Sequence, residues 1–112
     1  MEDILQSHPD LDAVFAECDN LAVGAARAAA SAGRDDILIV GYDGQQCGYQ
    51  AIKKGDIAAT IRMDARLMVK LSMDAAIKYI KNGKKKTGID RETLIYPELV
   101  TIAEVDKYLK QK

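Results

Sequence analysis

Residues 37–44 read ILIVGYDG: four apolar residues, a glycine, then Tyr42 and Asp43 before a second glycine. Similar runs flank it, Ala13-Val14-Phe15-Ala16 upstream and Ile57-Ala58-Ala59-Thr60-Ile61 downstream, beginning 24 residues before and 20 residues after Ile37. None alternates apolar with polar residues at period two, the pattern expected of strands covered by helices on both faces. Between the first two runs lies NLAVGAARAAASAG, residues 20–33. Alanine favours helix there, Asp19 or Asn20 can cap the free amides at its start, and Gly33 can close it. QQCGYQAIKKG, residues 45–55, reads as a shorter helix ending at Gly55, with Gly48 costing about 1 kcal/mol relative to alanine.

Strands alternating with single helices imply an α/β fold with a short parallel sheet and β-α-β crossovers, in which ligands gather at the carboxyl ends of the strands. Asp19 follows the first strand, Asp43 the second, and Met63 and Asp64 the third, so all four fall on that rim. Beyond it, Asp64 can cap ARLMVKLSMDAAIKYIKNG, residues 65–83, a helix whose apolar positions predict a broad buried face. In TLIYPELVTI, residues 93–102, Pro97 disfavours a central strand and leaves an edge strand or an extended crossing segment. EVDKYLKQK at the end reads as a short helix or a loose tail, and Glu2–Ser7 as the last turns of a helix.

The 112 residues suit one domain, with 48% apolar and 29% charged residues as in an ordinary globular protein. Sixteen basic against seventeen acidic residues argue against an electrostatic grip on nucleic acid. Lys84-Lys85-Lys86 and the tail lysines Lys107, Lys110 and Lys112 read as solvated surface. Cys18 and Cys47, with the single histidine His8, do not make an ordinary zinc site; whether they form a disulfide is left open. No apolar run approaches the roughly 20 residues of a membrane span, and the acidic start Met1-Glu2-Asp3 is unlike a signal peptide.

HPDLDAVFAECDNLAVGAARA, ILIVGYDG and AIKKGDIAATI, in this order and spacing, resemble the carboxyl-terminal lobe of type I periplasmic sugar-binding proteins of the ribose-binding class. The resemblance covers residues 5–83 well and the last 29 loosely. It implies a flavodoxin-like three-layer lobe that encloses a sugar against a second lobe and performs no chemistry. The full-length parent would be periplasmic and would serve an ABC transporter permease; no cofactor is implied. The family's G-[FY]-D-G acid, which hydrogen-bonds sugar hydroxyls, carries over to Asp43. Where the family pattern has a sugar-contacting asparagine this chain has Cys18, and where it has a glutamine, Met63. Both exchanges remove hydrogen-bonding capacity, which suits a less hydroxylated ligand or a disused site. Family members are more than twice this length, so 1–112 reads as one partial domain, with 84–112 an extended segment and tail. The amino-terminal lobe is the missing partner. Uncovered strand edges and helix faces then predict a homodimer or a domain swap.

Each residue also has a plainer reading. Asp43 as a turn or cap acid satisfies backbone amides, and capping accounts for Asp19, the weaker ligand candidate of the two. Cys18 reads as a small buried apolar residue, and Tyr42 and Tyr49 as packing rather than sugar-stacking rings. An acid pair of Asp19 and Asp43 is geometrically conceivable, yet no nucleophile motif or phosphate cradle accompanies it, so no enzyme is expected. Two rivals to sugar transport stand: the effector-binding core of a lactose-repressor-type regulator, and a folding or interaction module without ligand. GYDG continuing into QQCGYQAIKKGDIAATI, without a DNA-binding helix pair, favours the transporter reading over the first.

Overall fold

The computed structural model describes residues 1–109; Lys110 and Lys112 of the basic tail lie outside the described residues. The chain divides into two compact units, Met1–Arg62 with the segment from Glu98 onward, and Met63–Pro97.

In the first unit, strands β1 (Ala13–Phe15), β2 (Leu38–Asp43) and β3 (Ala59–Arg62) run parallel in that order. The segment Glu98–Thr101 adds an antiparallel strand beside β3, pairing Thr60 with Val100 and Arg62 with Glu98. It is β4. The edge-strand reading after Pro97 therefore holds, and it makes the sheet mixed rather than wholly parallel. Of the two readings of EVDKYLKQK the short helix is the one found, over Asp106–Leu109, with Val105 before it fully buried.

Helices α1 (Glu2–Ser7), α2 (Asp19–Ser31), α3 (Gln46–Lys54) and α5 (Asp106–Leu109) complete the unit. Ala22, Ala25, Ala26 and Ala29 form the buried stripe of α2, whose small side chains let it lie close to β2. Tyr49, Ala51 and Ile52 of α3 pack beside them with Ile37, Ile39 and Val100. The expected cap on α2 is not formed. Cys18 occupies the capping position without a side-chain bond, and Asp19 is the first helical residue.

Burial on both faces of the strands is a second expectation the unit does not meet. The ladder places Phe15, Leu38 and Leu99 on one face, where they are 62%, 55% and 62% exposed. Val14, Ile39, Thr60 and Val100 lie on the other, beneath the helices. The runs lack alternation because both faces are apolar, although one is left open. Phe15 and Tyr42 meet edge to face on the open side, ring centroids 6.4 Å apart.

The second unit holds α4 (Ala65–Lys81), capped as expected by Asp64, whose carboxylate accepts from the Leu67 amide at 2.9 Å. No residue of α4 is buried, contrary to the broad buried face expected; Met73, Ile77 and Ile80 are exposed. A single helix followed by an extended segment gives this unit no second element to pack against.

Arg34 ties the chain before β1 to the end of α2. Its guanidinium donates to the Pro9 and Leu11 carbonyls at 2.6 and 2.8 Å and grips Asp36 with two further bonds. Arg34→Ala is expected to lower Tm and to speed hydrogen exchange at residues 10–14, because two carbonyls lose their donors together. Unchanged exchange there would show that the clamp holds nothing.

Candidate functional site

The rim is built where β2 ends. Asp43 has φ 96°, a region that costs a non-glycine residue of order 1 kcal/mol or more, and Gly44 follows at φ 72°. Two successive positive φ values turn the chain sharply from β2 toward α3. Glycine is required at the second: a Cβ on Gly44 would stand 2.7 Å from the Tyr49 hydroxyl and 2.8 Å from the Arg62 side chain. The turn carries Asp43, a half-buried residue whose Oδ2 accepts from the Gln45 side-chain amide at 3.0 Å.

Asp19 lies beneath this turn, fully buried. Its Oδ1 accepts from the Thr60 hydroxyl at 2.6 Å and its Oδ2 from the Gln45 backbone amide at 2.5 Å. Burial pushes its pKa above the ordinary 3.8, while the bonds from Thr60, Gln45 and Gly44 pull the other way. The two glycines around it exist to make room. A Cβ on Gly41 would strike Asp19 Oδ1, and one on Gly48 would strike the Asp19 carboxyl carbon and sit 2.5 Å from Oδ2. Gly48, read from sequence as a weakness in α3, is what lets that helix approach the carboxylate.

The raised value has a definite sign. Between the ordinary 3.8 and the higher native value, the folded chain binds more protons than the unfolded one. Stability from this group is therefore greatest below that window and declines as pH rises through it. Chemical denaturation of the wild type and Asp19→Asn across pH 4 to 7 is expected to show this decline only in the wild type. Parallel curves would contradict it.

Of the other expected site residues, Cys18 precedes Asp19 in extended backbone, half-buried and free, and Met63 opens the second unit just after β3. Cys47 is also free, its thiol donating to Asn20 Oδ1 at 3.3 Å, so no disulfide joins the two cysteines. Tyr49 is core, stacked on Tyr108 at 5.3 Å, while Tyr42 stays at the rim. Asp19 and Asp43 are close enough to interact electrostatically, but the Asp19 oxygens are both taken by internal donors. Among the described residues no cluster of three or more His, Cys, Asp or Glu is placed to hold a metal ion.

Sequence reasoning missed Arg62, Glu98 and Tyr108. Arg62 pairs with Glu98 at 3.3 Å and lies over the Tyr108 ring at 5.3 Å, and the Tyr108 hydroxyl donates to Glu98 at 2.8 Å. An arginine closing an apolar strand was the one available signal.

In an open α/β sheet the carboxyl ends of the strands are where ligands bind, and Asp43 lies at the carboxyl end of β2. Residues 1–85 match the family model described as periplasmic binding protein domain, and the chain belongs to that family. It is 41% identical over 107 residues to the D-apiose import binding protein of Paraburkholderia graminis, covering 96% of this chain and 34% of that one. With the ribose import binding protein RbsB of Bacillus subtilis it shares 44% over 85 residues, 76% of this chain and 27% of that one. Its fold matches an Actinobacillus succinogenes ABC transporter solute-binding protein with bound D-allose, with TM-score 0.82, 29% identity and coverage of 96% and 36%. A galactofuranose-binding protein superposes with TM-score 0.84 at 25% identity, covering 97% of this chain and 38% of that one. The type I periplasmic binding protein fold is thus present, and the chain spans about a third of the length of the curated relatives it matches.

Proposed function

We propose that the chain supplies one wall of a sugar-binding cleft in a periplasmic binding protein of an ABC importer, and that it performs no catalysis. The observation that carries this is Asp43, held half-buried in a strained turn at the end of β2. A carboxylate accepts several hydrogen bonds, and sugar hydroxyls supply them. Relatives named for D-apiose and ribose import support the ligand class. Cys18 borders the same turn through Asp19, and Met63 enters on the family pattern alone. In the full-length parent an amino-terminal lobe closes the cleft, the transporter permease receives the loaded protein, and the location is the periplasm.

Enclosure provides most of a small ligand's buried surface, and one lobe provides only part of it. Calorimetry on this chain is expected to give dissociation constants of about 1 mM or weaker for monosaccharides. A micromolar constant would contradict the half-cleft reading. The open face carrying Phe15, Leu38 and Leu99 supports self-association into a homodimer or domain-swapped form. Light scattering is expected to show a dimeric mass that falls on dilution, whereas a constant monomeric mass would contradict it.

A further inference from the structure

We infer that Asp19, Thr60 and Gln45 form a latch that positions the Asp43 carboxylate, with Asp19 acting through Gln45 rather than on a ligand. Gln45 is the hub. Its backbone amide is fastened to Asp19 Oδ2 at 2.5 Å, and Asp19 is itself fixed through Oδ1 by the Thr60 hydroxyl at 2.6 Å. Its side chain is gripped at both ends: Oε1 accepts from Asn20 Nδ2 at 3.2 Å, and Nε2 donates to Asp43 Oδ2 at 3.0 Å. The latch ties together α2, the turn after β2, and β3, which are 26 and 41 residues apart in sequence.

The observations point to positioning for three reasons. A fully buried carboxylate is costly unless its bonds are good, and Asp19 is kept where an apolar residue would fill the space between Gly41 and Gly48 with less desolvation. Asp43 sits at φ 96°, and such strain persists only where the surroundings over-determine it. The Gln45 amide belongs to neither β2 nor α3 ladders, so without Asp19 it would be an unpaired donor at the head of α3. Removing Gln45's side chain takes one donor from Asp43. Removing Asp19 releases the turn that carries it.

The purpose of the latch rests on the sugar-binding reading, while the latch itself can be measured without ligand. In the full chain, three-bond couplings report whether Asp43 keeps one χ1 rotamer, and hydrogen exchange reports the Gln45 amide. The wild type is expected to show one rotamer and a protected amide. Gln45→Met, matched in length but without a donor, should keep the protected amide and let Asp43 average between rotamers. Asp19→Ala, which removes both acceptors, should lose the protection as well; if it does not fold, Gln45→Met carries the test. A single Asp43 rotamer in Gln45→Met would overturn the inference. D-ribose titration adds a second arm, with affinity falling about tenfold in Gln45→Met. Equal affinity in both would likewise overturn it. If D-ribose, D-allose, D-apiose and myo-inositol all leave the wild type unperturbed, the sugar-binding reading fails, and the rotamer result alone decides whether the latch positions Asp43.

Discussion

Gly48→Ala is expected to destabilise the chain by about 2 kcal/mol, the opposite of what helix propensity predicts. Alanine in place of glycine inside a helix ordinarily gains up to about 1 kcal/mol by restricting the unfolded chain and favouring helix. Here the added methyl would land on the buried Asp19 carboxylate, 2.5 Å from Oδ2. Neither side can yield cheaply. Asp19 is held by Thr60 and the Gln45 amide, and α3 is anchored by the buried Tyr49 and Ile52. Urea denaturation measures the loss, and a double-mutant cycle with Asp19→Ala assigns it. With the carboxylate removed, the alanine methyl has space, so the double variant should be more stable than additivity predicts by about 1 kcal/mol or more. A stabilised Gly48→Ala chain would mean that α3 does not approach Asp19 as described.

The second large effect separates binding from folding at one position. Asp43→Gly removes the carboxylate and also relieves a φ of 96° that only glycine adopts freely. Glycine adds freedom to the unfolded chain and forfeits the bond from Gln45, which offsets part of the relief. Stability should therefore stay within about 1 kcal/mol of the wild type, with a dispersed spectrum and an unchanged denaturation slope. Sugar binding should fall by about a hundredfold, since a charged acceptor is worth about 1.5–3 kcal/mol. In a chain that binds weakly to begin with, this amounts to no measurable binding. Loss of stability and binding together would make Asp43 a structural turn residue.

Much of this was legible in the residues. The spacing of three apolar runs identified the parallel strands, and the acid two residues past Val40's glycine identified the rim, because both follow from local order along the chain. The hidden parts depend on contacts across sequence. Asp19 meets Gln45 and Thr60 over 26 and 41 residues, so a carboxylate that looked like a helix cap is a buried acceptor. Gly48 looked like a flaw because propensity counts only the helix it sits in, whereas its reason lies in α2. Arg62, Glu98 and Tyr108 come together only once β4 adds to the sheet edge. The open face was misjudged for another reason: an apolar strand reports that its side chains favour cover, not that the same unit supplies it.

The role proposed for Asp43 is to present a carboxylate to a sugar at the end of β2. Its most direct test is an amide chemical-shift titration of the full chain against a panel of D-ribose, D-allose, D-apiose and myo-inositol. At least one of these is expected to shift residues 42–45 and the neighbouring Glu17–Asp19 segment at millimolar concentration, and Asp43→Gly to abolish the response. Shifts absent with every sugar, or confined to residues away from this turn, would contradict it and leave a folded module without this ligand.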